Sequence, residues 1–356
     1  MRMVPSKKQI EPDGVRRILV IATSWVGDAV MTLPALEAVG EIFPESTVTV
    51  MAKPWVQPLF ACHPAVDSVV SYPAKVPVAK EPWALFSAAK RIREGRYDLA
   101  VLFQNAFRAG LMPFLAGVKY RLGYNTDGRG ILLTHSVALT EDLLSVHQVT
   151  YYTSILASMG WPVNTATPVV HLCGEDRSEA ERILLSNGIG RDDFVVALGP
   201  GAMFGDAKRW PADRFATIGD WAARRWGAKI LLMGSRNETG ICDELSRGMT
   251  TPALNLAGAT TLMQALALLS ISRFFVTNDS GLMHAAAALG TPTVAVFGST
   301  DPRTTSPIGP RVRLVRHPVP CAPCLKPSCP TDHKCMLSIG PEDVWRAMVE
   351  LREEPM

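Results

Sequence analysis

Residues 278–292, which read NDSGLMHAAAALGTP, place an acid, a hydroxyl and a glycine directly before a helical pattern. Gly281 permits close approach of the backbone to a ligand, and N–H groups at a helix start, here those of Ser280 to Leu282, bind phosphate oxygens. Asp279 would repel the same phosphate, so we expect it to accept sugar hydroxyls, or to hold Lys208 or a metal ion. His284, one turn into the helix, is either a ligand contact or a packed structural residue.

A second loop, residues 198–211, is rich in glycine and contains two adjacent cations. Lys208 and Arg209 suit a diphosphate ligand, and Lys208 could neutralise a departing phosphate. The alternative is that Lys208 is an ordinary surface lysine. Pro211 suits the start of the helix that follows.

The glycines of this loop also resemble a relaxed dinucleotide fingerprint, so a nicotinamide-dependent oxidoreductase is the alternative from another class. In that fingerprint the helix begins within the glycine motif, and an acid after the next strand binds the ribose. Here the helical pattern starts only at Pro211, and the next strand is followed by Gly234, Ser235 and Arg236. The context therefore argues against a dinucleotide site.

A third loop, Ser24 to Leu36, follows the first apolar run of the chain. Gly27 allows a tight turn, and Asp28 falls in the first turn of the next helix. A carboxylate there is either a helix-start residue favoured by the helix dipole or a general base.

Four cysteines lie close together near the end of the chain, in the spacing C-x2-C-x4-C-x5-C, with His333 nearby. Four sulfurs in a proline-rich loop could hold a structural zinc ion, because such a loop has few apolar residues to order it. An iron–sulfur cluster is also chemically permitted, and reduced thiols or local disulfides are the alternatives. The candidate ligands are Cys321, Cys324, Cys329 and Cys335.

Short apolar runs alternate with helical patterns along the whole chain, which indicates parallel sheets buried between helices. We expect an α/β protein with two doubly wound halves, joined within residues 161–176. Helices should begin near Asp176, Pro211, Thr261 and Gly281. The predicted strands are Arg17–Ala22, Thr47–Ala52, Ser68–Tyr72, Tyr97–Phe103, Phe194–Leu198, Lys229–Met233, Phe274–Thr277 and Thr293–Phe297.

Composition narrows the class of protein further. The chain has 356 residues, of which 47% are hydrophobic, and its net charge of +3 is too small to indicate nucleic acid as a partner. No apolar run reaches the roughly 18 residues of a membrane-spanning helix. The run Ile18 to Ala22 is too short for a signal peptide, so we expect a cytoplasmic protein.

Four motifs together resemble the ADP-heptose:lipopolysaccharide heptosyltransferases of glycosyltransferase family 9. They are ILVIATSWVGDAVMTLPAL, PGAMFGDAKRWP, NLAGATTL and VTNDSGLMHAAAALGTPTVAVFGSTDP, in the family's order between residue 18 and about residue 302. The resemblance implies a GT-B fold, in which two Rossmann-like domains face a central cleft. It places the acceptor domain at residues 1–170, the donor domain at 171–340 and a helix that crosses back to the first domain at 341–356.

The resemblance also implies roles for particular residues. Asp28 would be the catalytic base and Lys208 would bind the phosphates of the donor. The implied donor contacts are Gly201, Ala202, Met203, Phe204, Lys208, Gly234, Ser235, Asp279, Ser280, Gly281 and His284. Candidate acceptor contacts are Ser24, Trp25, Gly27, Arg108, Arg121 and Arg129. The guanidinium groups of the three arginines would bind the anionic groups of the acceptor.

The implied reaction moves heptose from ADP-L-glycero-D-manno-heptose, with inversion, to the inner core attached to lipid A. The motifs look most like the branch that extends a core already bearing one heptose, and the branch that adds the first heptose is the alternative. No cofactor is required, although Mg²⁺ could assist ADP departure. We expect a monomer that contacts the inner face of the cytoplasmic membrane peripherally.

Overall fold

The computed structural model describes residues 9–73, 81–164 and 167–354. Residues 1–8 of the predicted acceptor domain and residues 355–356 of the predicted last helix lie outside the described residues. The chain divides into two compact units, Met1–His171 and Leu172–Met356. Each unit contains one six-stranded sheet in which all neighbouring strands are parallel.

The N-terminal unit has strand order β3-β2-β1-β4-β5-β6. Its strands are β1 (Arg17–Ile21), β2 (Thr47–Ala52), β3 (Ser68–Ser71), β4 (Leu99–Leu102), β5 (Tyr120–Tyr124) and β6 (His135–Val137). Its helices are α1 (Val26–Ile42), α2 (Gln57–Ala61), α3 (Glu81–Glu94), α4 (Phe107–Ala116), α5 (Glu141–Ser145) and α6 (Gln148–Ala157). The central strands β1 and β4 are almost wholly buried, as continuous apolar runs covered on both faces should be.

The C-terminal unit has strand order β12-β11-β10-β7-β8-β9. Its strands are β7 (Val195–Gly199), β8 (Lys229–Leu232), β9 (Ala253–Asn255), β10 (Phe274–Asn278), β11 (Thr293–Val296) and β12 (Val312–Val315). Its helices are α7 (Gly174–Ser186), α8 (Ala212–Trp226), α9 (Thr239–Gly248), α10 (Leu262–Ile271), α11 (Gly281–Ala288), α12 (Pro302–Thr305), α13 (Lys334–Leu337) and α14 (Pro341–Glu353).

Both sheets have the same topology, because each unit's first strand lies between its second and fourth. The strand order therefore reverses between β1 and β4 in one unit and between β7 and β10 in the other. Open parallel sheets bind ligands outside the carboxyl ends of the strands at this switch point. Asp28 follows β1, Lys208 follows β7 and Asp279 follows β10, so each candidate residue lies after a switch-point strand.

The eight strands predicted from the sequence are confirmed, and four strands at or near the sheet edges were missed. Strands β6 and β9 have only three residues each, and β5 and β12 contain Arg121 and Arg313. Such short or charged segments lack the apolar run that marks the central strands.

The predicted helix starts have clear local causes. Thr261 caps α10 by accepting the N–H of Gln264, whose side chain accepts the N–H of Thr261 in return. Ser280 caps α11 in the same position, and Pro211 stands immediately before the first residue of α8. Asp176, in the first turn of α7, accepts the N–H of Cys173.

The last helix packs within the C-terminal unit. Val344, Met348 and Leu351 of α14 are fully buried in the core that also contains β7, β8, β10 and β11. The apolar face of α14 thus covers the C-terminal sheet. Among the described residues, no helix is long and apolar enough to cross a membrane.

Candidate active site

The loop between β7 and α8, residues 200–211, is called the glycine loop below. Hydrogen bonds fasten it to the end of β10. The Thr277 hydroxyl donates to the carbonyl of Gly199 at 3.1 Å, and the Asn278 amide donates to that of Pro200 at 2.7 Å. The side-chain oxygen of Asn278 accepts the N–H of Trp210 at 3.0 Å, so the one side chain holds both ends of the loop. Sequence reasoning missed Asn278, although it directly precedes Asp279.

Lys208 and Asp279 form a buried ion pair at this edge of the sheet. The Lys208 ammonium lies 2.6 Å from a carboxylate oxygen of Asp279, and the two side chains are 13% and 5% exposed. The Thr300 hydroxyl donates to the same oxygen at 2.6 Å. Of the roles expected for Asp279, the structure shows the one in which it holds Lys208. The pairing fixes the cation where the sequence pattern predicted a diphosphate.

The remaining surface of the glycine loop presents apolar groups beside this cation. The Lys208 ammonium lies 4.9 Å from the centre of the Phe204 ring. Phe204 and Met203 are half exposed, whereas Gly201 and Ala202 are buried. The loop therefore combines a fixed positive charge with an accessible aromatic face, a surface suited to a ligand that has both phosphate and ring groups.

Helix α11 begins beside the ion pair. The Ser280 hydroxyl accepts the N–H of Met283, and the helix itself leaves the N–H groups of its first residues, Gly281 and Leu282, without partners. Such a terminus favours anions. His284 is 6% exposed on the first turn. The predicted anion site therefore lies one residue after the carboxylate that holds Lys208.

The side chain of Glu238 packs against Gly201 of the glycine loop. Its carboxylate accepts the N–H of Ser235 at 2.7 Å and the Ser235 hydroxyl at 2.8 Å. A Cβ atom on Gly201 would lie 2.0 Å from its carboxylate, and one on Gly234 would lie 3.2 Å from its Cβ. Gly201 and Gly234, two of the three predicted donor glycines, therefore make room for Glu238, an acid to which the sequence assigned no contact.

In the N-terminal unit, Asp28 lies in the first turn of α1, after β1. The buried Tyr152 hydroxyl of α6 hydrogen-bonds to the Asp28 carboxylate, and burial, followed by the charge of Asp28, raises the pKa of Tyr152 well above its usual range. A protonated tyrosine is thus held against the carboxylate. Sequence reasoning missed Tyr152, which is 124 positions from Asp28 and belongs to no motif.

The loop around Asp28 is fixed by two neighbouring loops. The carbonyl of Ser24 accepts the indole N–H of Trp55 at 2.7 Å, and the Ser24 hydroxyl accepts from Gln104 at 3.0 Å. Trp25 and Trp55 are 60% and 58% exposed, while Gly27 is buried. Two indoles are therefore accessible, that of Trp25, a predicted acceptor residue, and that of Trp55.

The three arginines predicted to receive acceptor anions have different environments. Arg129 is fully buried, its guanidinium donates to the carbonyls of Tyr124 and Gln104, and burial lowers its pKa to about 10. The expected acceptor role of Arg129 is therefore corrected to a structural one. Arg121 also donates to main-chain carbonyls, while Arg108 lies over the ring of Tyr72, 5.8 Å from its centre.

The four cysteines of the terminal string line one cavity in the C-terminal unit. All four are free thiols, with Cys335 buried and Cys321 exposed. Burial and the nearby Cys321, Cys329 and Cys324 together raise the pKa of the Cys335 thiol. The string is therefore a spatial cluster as well as a sequence pattern.

The geometry does not favour the oxidoreductase alternative. A short 3-10 turn at Asp206–Lys208 interrupts the glycine loop, and α8 begins only at Ala212. In a dinucleotide fingerprint the helix N-terminus itself receives the pyrophosphate. In this unit the helix N-terminus beside the cation is that of α11.

The chain is similar in sequence to known glycosyltransferases. Residues 85–335 match the family model of glycosyltransferase family 9 (heptosyltransferase). The chain is 31% identical over 313 residues to lipopolysaccharide heptosyltransferase 2 of Escherichia coli strain K12, a match that covers 84% of this chain and 88% of that protein. It is 30% identical over 308 residues to lipooligosaccharide heptosyltransferase 2 of Haemophilus influenzae, with the same coverage.

The solved structures give the same result. The structure of Escherichia coli ADP-heptose lps heptosyltransferase II aligns with a TM-score of 0.82 at 28% identity, over 94% of this chain and 98% of that one. The family 9 glycosyltransferase of Veillonella parvula, at 22% identity and a TM-score of 0.85, shares the fold. These matches confirm the predicted GT-B class with two Rossmann-like domains and give no support to an oxidoreductase. The chain therefore belongs to glycosyltransferase family 9, the heptosyltransferases.

Proposed function

We propose that this glycosyltransferase moves heptose from ADP-L-glycero-D-manno-heptose to a lipopolysaccharide inner core that already bears one heptose. The observation that carries the proposal is the Lys208–Asp279 pair, whose oriented ammonium lies next to the N-terminus of α11. The names of the relatives, heptosyltransferase 2 and heptosyltransferase II, support the choice of donor and acceptor.

We assign different parts of the chemistry to residues of each unit. Inversion requires a base that takes a proton from the acceptor hydroxyl as its oxygen attacks the anomeric carbon, and Asp28 is our candidate for this base. Negative charge then develops on the departing ADP. Lys208 and the first N–H groups of α11 would stabilise that charge, and single preorganised donors of this kind contribute about 3 to 4 kcal/mol in comparable sites.

The contacts of Asp279 bear on the possible role of Mg²⁺. One of its oxygens already accepts Lys208 and Thr300, so the lysine supplies the positive charge that a divalent ion would otherwise bring. We therefore propose that ADP departure depends on Lys208 and proceeds without Mg²⁺. Turnover should be unchanged in excess EDTA, and restoration of a lost rate by Mg²⁺ would contradict this assignment.

Helix α3 of the N-terminal unit supports the expected contact with a membrane. Trp83 and Phe86 are 78% and 69% exposed, three residues apart on one face, and Lys90 is exposed one turn later. Exposed aromatic rings beside basic residues are typical of helices that bind anionic lipid surfaces. A Trp83→Ser, Phe86→Ser variant should lose binding to anionic vesicles, while Leu185→Ser, at an exposed leucine of the C-terminal unit, should not.

Assay of the purified protein with ADP-heptose tests the proposed function. Acceptors bearing no heptose or one heptose are offered separately, and the products are analysed by mass spectrometry. We expect transfer to the acceptor with one heptose. Transfer only to the heptose-free acceptor would instead assign the protein to the branch that adds the first heptose, and no transfer to either would contradict both assignments.

A further inference from the structure

The segment Cys321 to Cys335, called the cysteine loop below, encloses a cavity of about 170 Å³. All four of its thiols line the cavity, together with two lysines. Such a concentration of soft sulfur ligands around an enclosed space is unusual for a surface loop, and the role of the loop is not explained by heptosyl transfer. The remaining wall includes Ala207 of the glycine loop and Ser299, the residue before Thr300.

Polar groups in the wall are arranged for an anionic centre. The Ser299 hydroxyl is buried, with the residue 1% exposed, and it has no hydrogen-bond partner among the described residues. The sulfur of Cys329 accepts the N–H of His333 at 3.3 Å. Buried polar groups are normally satisfied, so an orphaned hydroxyl at the wall of a cavity points to an occupant. Lys326 and Lys334 would offset the negative charge of a centre held by four thiolates.

The spacing of the sulfurs distinguishes between possible occupants. A tetrahedral zinc ion with Zn–S distances of about 2.3 Å brings its sulfurs to about 3.8 Å from one another. Within the described ranges, no three ligand atoms of the cysteine loop all lie within 4.8 Å of one another. The thiols are therefore spread more widely around the cavity than the ligands of a single zinc ion would be.

We propose that Cys321, Cys324, Cys329 and Cys335 bind an iron–sulfur cluster. Four cysteine thiolates are the ligand set of such clusters, and a cluster places several iron and sulfide atoms between its ligands. The volume of the cavity, its four free thiols and its two lysines all fit a multi-atom, negatively charged centre. The cluster has a structural role, because the cysteine loop has little apolar side chain of its own to order it.

The cysteine loop directly supports the glycine loop. The N–H of Ala207 donates to the carbonyl of Pro327 at 3.0 Å. Gly205 approaches the same residue so closely that a Cβ atom would lie 2.0 Å from that carbonyl oxygen. The next residue after Ala207 is Lys208, so binding of a cluster would order the segment that positions the catalytic cation.

A second connection leads to Asp279. The N–H of Leu325 donates to the carbonyl of Ser299 at 2.9 Å, and the adjacent Thr300 donates to the Asp279 carboxylate. Lys208 is therefore adjacent to Ala207, which bonds to the cysteine loop, and Asp279 accepts a hydrogen bond from Thr300, which is adjacent to Ser299. We infer that loss of the cluster weakens binding of ADP, a consequence that rests on the proposed donor site.

The experiment measures iron and acid-labile sulfide in the full-length protein purified without oxygen. We expect about four of each per chain, with the broad visible absorption of an iron–sulfur centre. Cys324→Ser and Cys329→Ser should lose both elements and the absorption. Cys242→Ala, which alters a free cysteine of the same unit outside the loop, should retain them. Removal of the cluster from the wild-type protein with a chelator, followed by reconstitution, avoids dependence on variants that fail to fold.

The outcomes separate the steps of the proposal. One zinc ion per chain without sulfide, or no metal in protein purified under these conditions, would overturn the cluster. A cluster whose removal leaves the Kd for ADP unchanged would overturn the link to the glycine loop. We expect removal to raise that Kd at least about tenfold, a loss of about 1.4 kcal/mol in binding free energy. The iron and sulfide content does not depend on turnover, so failure of the proposed heptosyl transfer would be recognised separately.

Discussion

The ammonium of Lys208 lies 2.6 Å from a carboxylate oxygen of Asp279, although the two residues are 71 positions apart in the chain. The parallel sheet brings them together, because β7 and β10 are neighbours and both residues follow the carboxyl ends of these strands. With both side chains almost buried, the lysine is held in one place before any ligand binds. This arrangement is what electrostatic stabilisation of a leaving group requires.

Neutralising Lys208 should therefore impair catalysis. We expect Lys208→Met to lower kcat by about 10² to 10³, the usual effect of removing one preorganised donor. Asp279→Asn should lower kcat less, because the cation remains but is no longer held. The effects should not be additive in the double variant, since the residues act as a pair. Steady-state kinetics of the four proteins test this, with Lys229→Met as a control at an exposed lysine of the same unit.

Replacing Asp28 should separate binding from turnover. We expect Asp28→Asn to bind ADP as the wild type does and to lose about 10² to 10⁴ in kcat, because only the proposed proton acceptor is removed. Glu37→Gln, which removes an exposed carboxylate from the same helix, is the matched control. Calorimetric titration with ADP and initial rates give the two quantities. Near wild-type turnover in Asp28→Asn would exclude this residue as the base.

Tyr152 should act as a positioning residue for Asp28. Its hydrogen bond stabilises the charged carboxylate, so Tyr152→Phe should raise the pKa of the base. The base must be deprotonated to act, and the acidic limb of the kcat profile should therefore move to higher pH. A loss of activity with no movement of the limb would instead indicate a packing role. Tyr120→Phe, at a tyrosine of β5, serves as the control.

His63 makes the stability of the N-terminal unit depend on pH. Burial, followed by the charge of the neighbouring His171, lowers the pKa of His63 to about 4. An unfolded histidine titrates near 6.5, so the unfolded state binds the proton more readily between these values. The associated stability is fully present above pH 6.5 and is lost as the pH falls toward 4, by at most about 3 kcal/mol.

Urea unfolding at pH 7.5 and pH 5 measures this contribution. His63→Asn retains an acceptor for the N–H of Ala65, which His63 accepts at 3.2 Å, but it cannot titrate. We expect the difference in the free energy of unfolding between the two pH values to be smaller in the variant. An equal difference in the two proteins would show that other groups cause the pH dependence.

The sequence predicted the central strands and the site loops because these are local patterns. The buried runs of β1, β4, β7 and β10 are apolar, and the residue types of Ser280 and Gly281 predict the start of α11. Contacts between distant segments could not be predicted in the same way. Tyr152 lies in a helix with no motif, and Glu238 reaches Gly201 only after the chain has folded.

Arg129 shows the opposite error. Its basic type suggested an exposed anion contact, but the sequence does not reveal that carbonyls of Tyr124 and Gln104 surround its guanidinium. In the sequence, a buried arginine that donates hydrogen bonds to main-chain carbonyls cannot be distinguished from an arginine that binds a substrate. Burial therefore decides between the two roles, and burial is a property of the fold.

The configuration of the newly formed glycosidic linkage tests the central claim most directly. A single displacement with Asp28 as base, and with Lys208 and α11 stabilising ADP, must invert the anomeric centre of the heptose. Nuclear magnetic resonance of the product made from ADP-heptose should show the anomeric configuration opposite to that of the donor. A product with the donor's configuration would contradict the account, because the proposed displacement, in which the acceptor oxygen attacks opposite the departing ADP, inverts that centre.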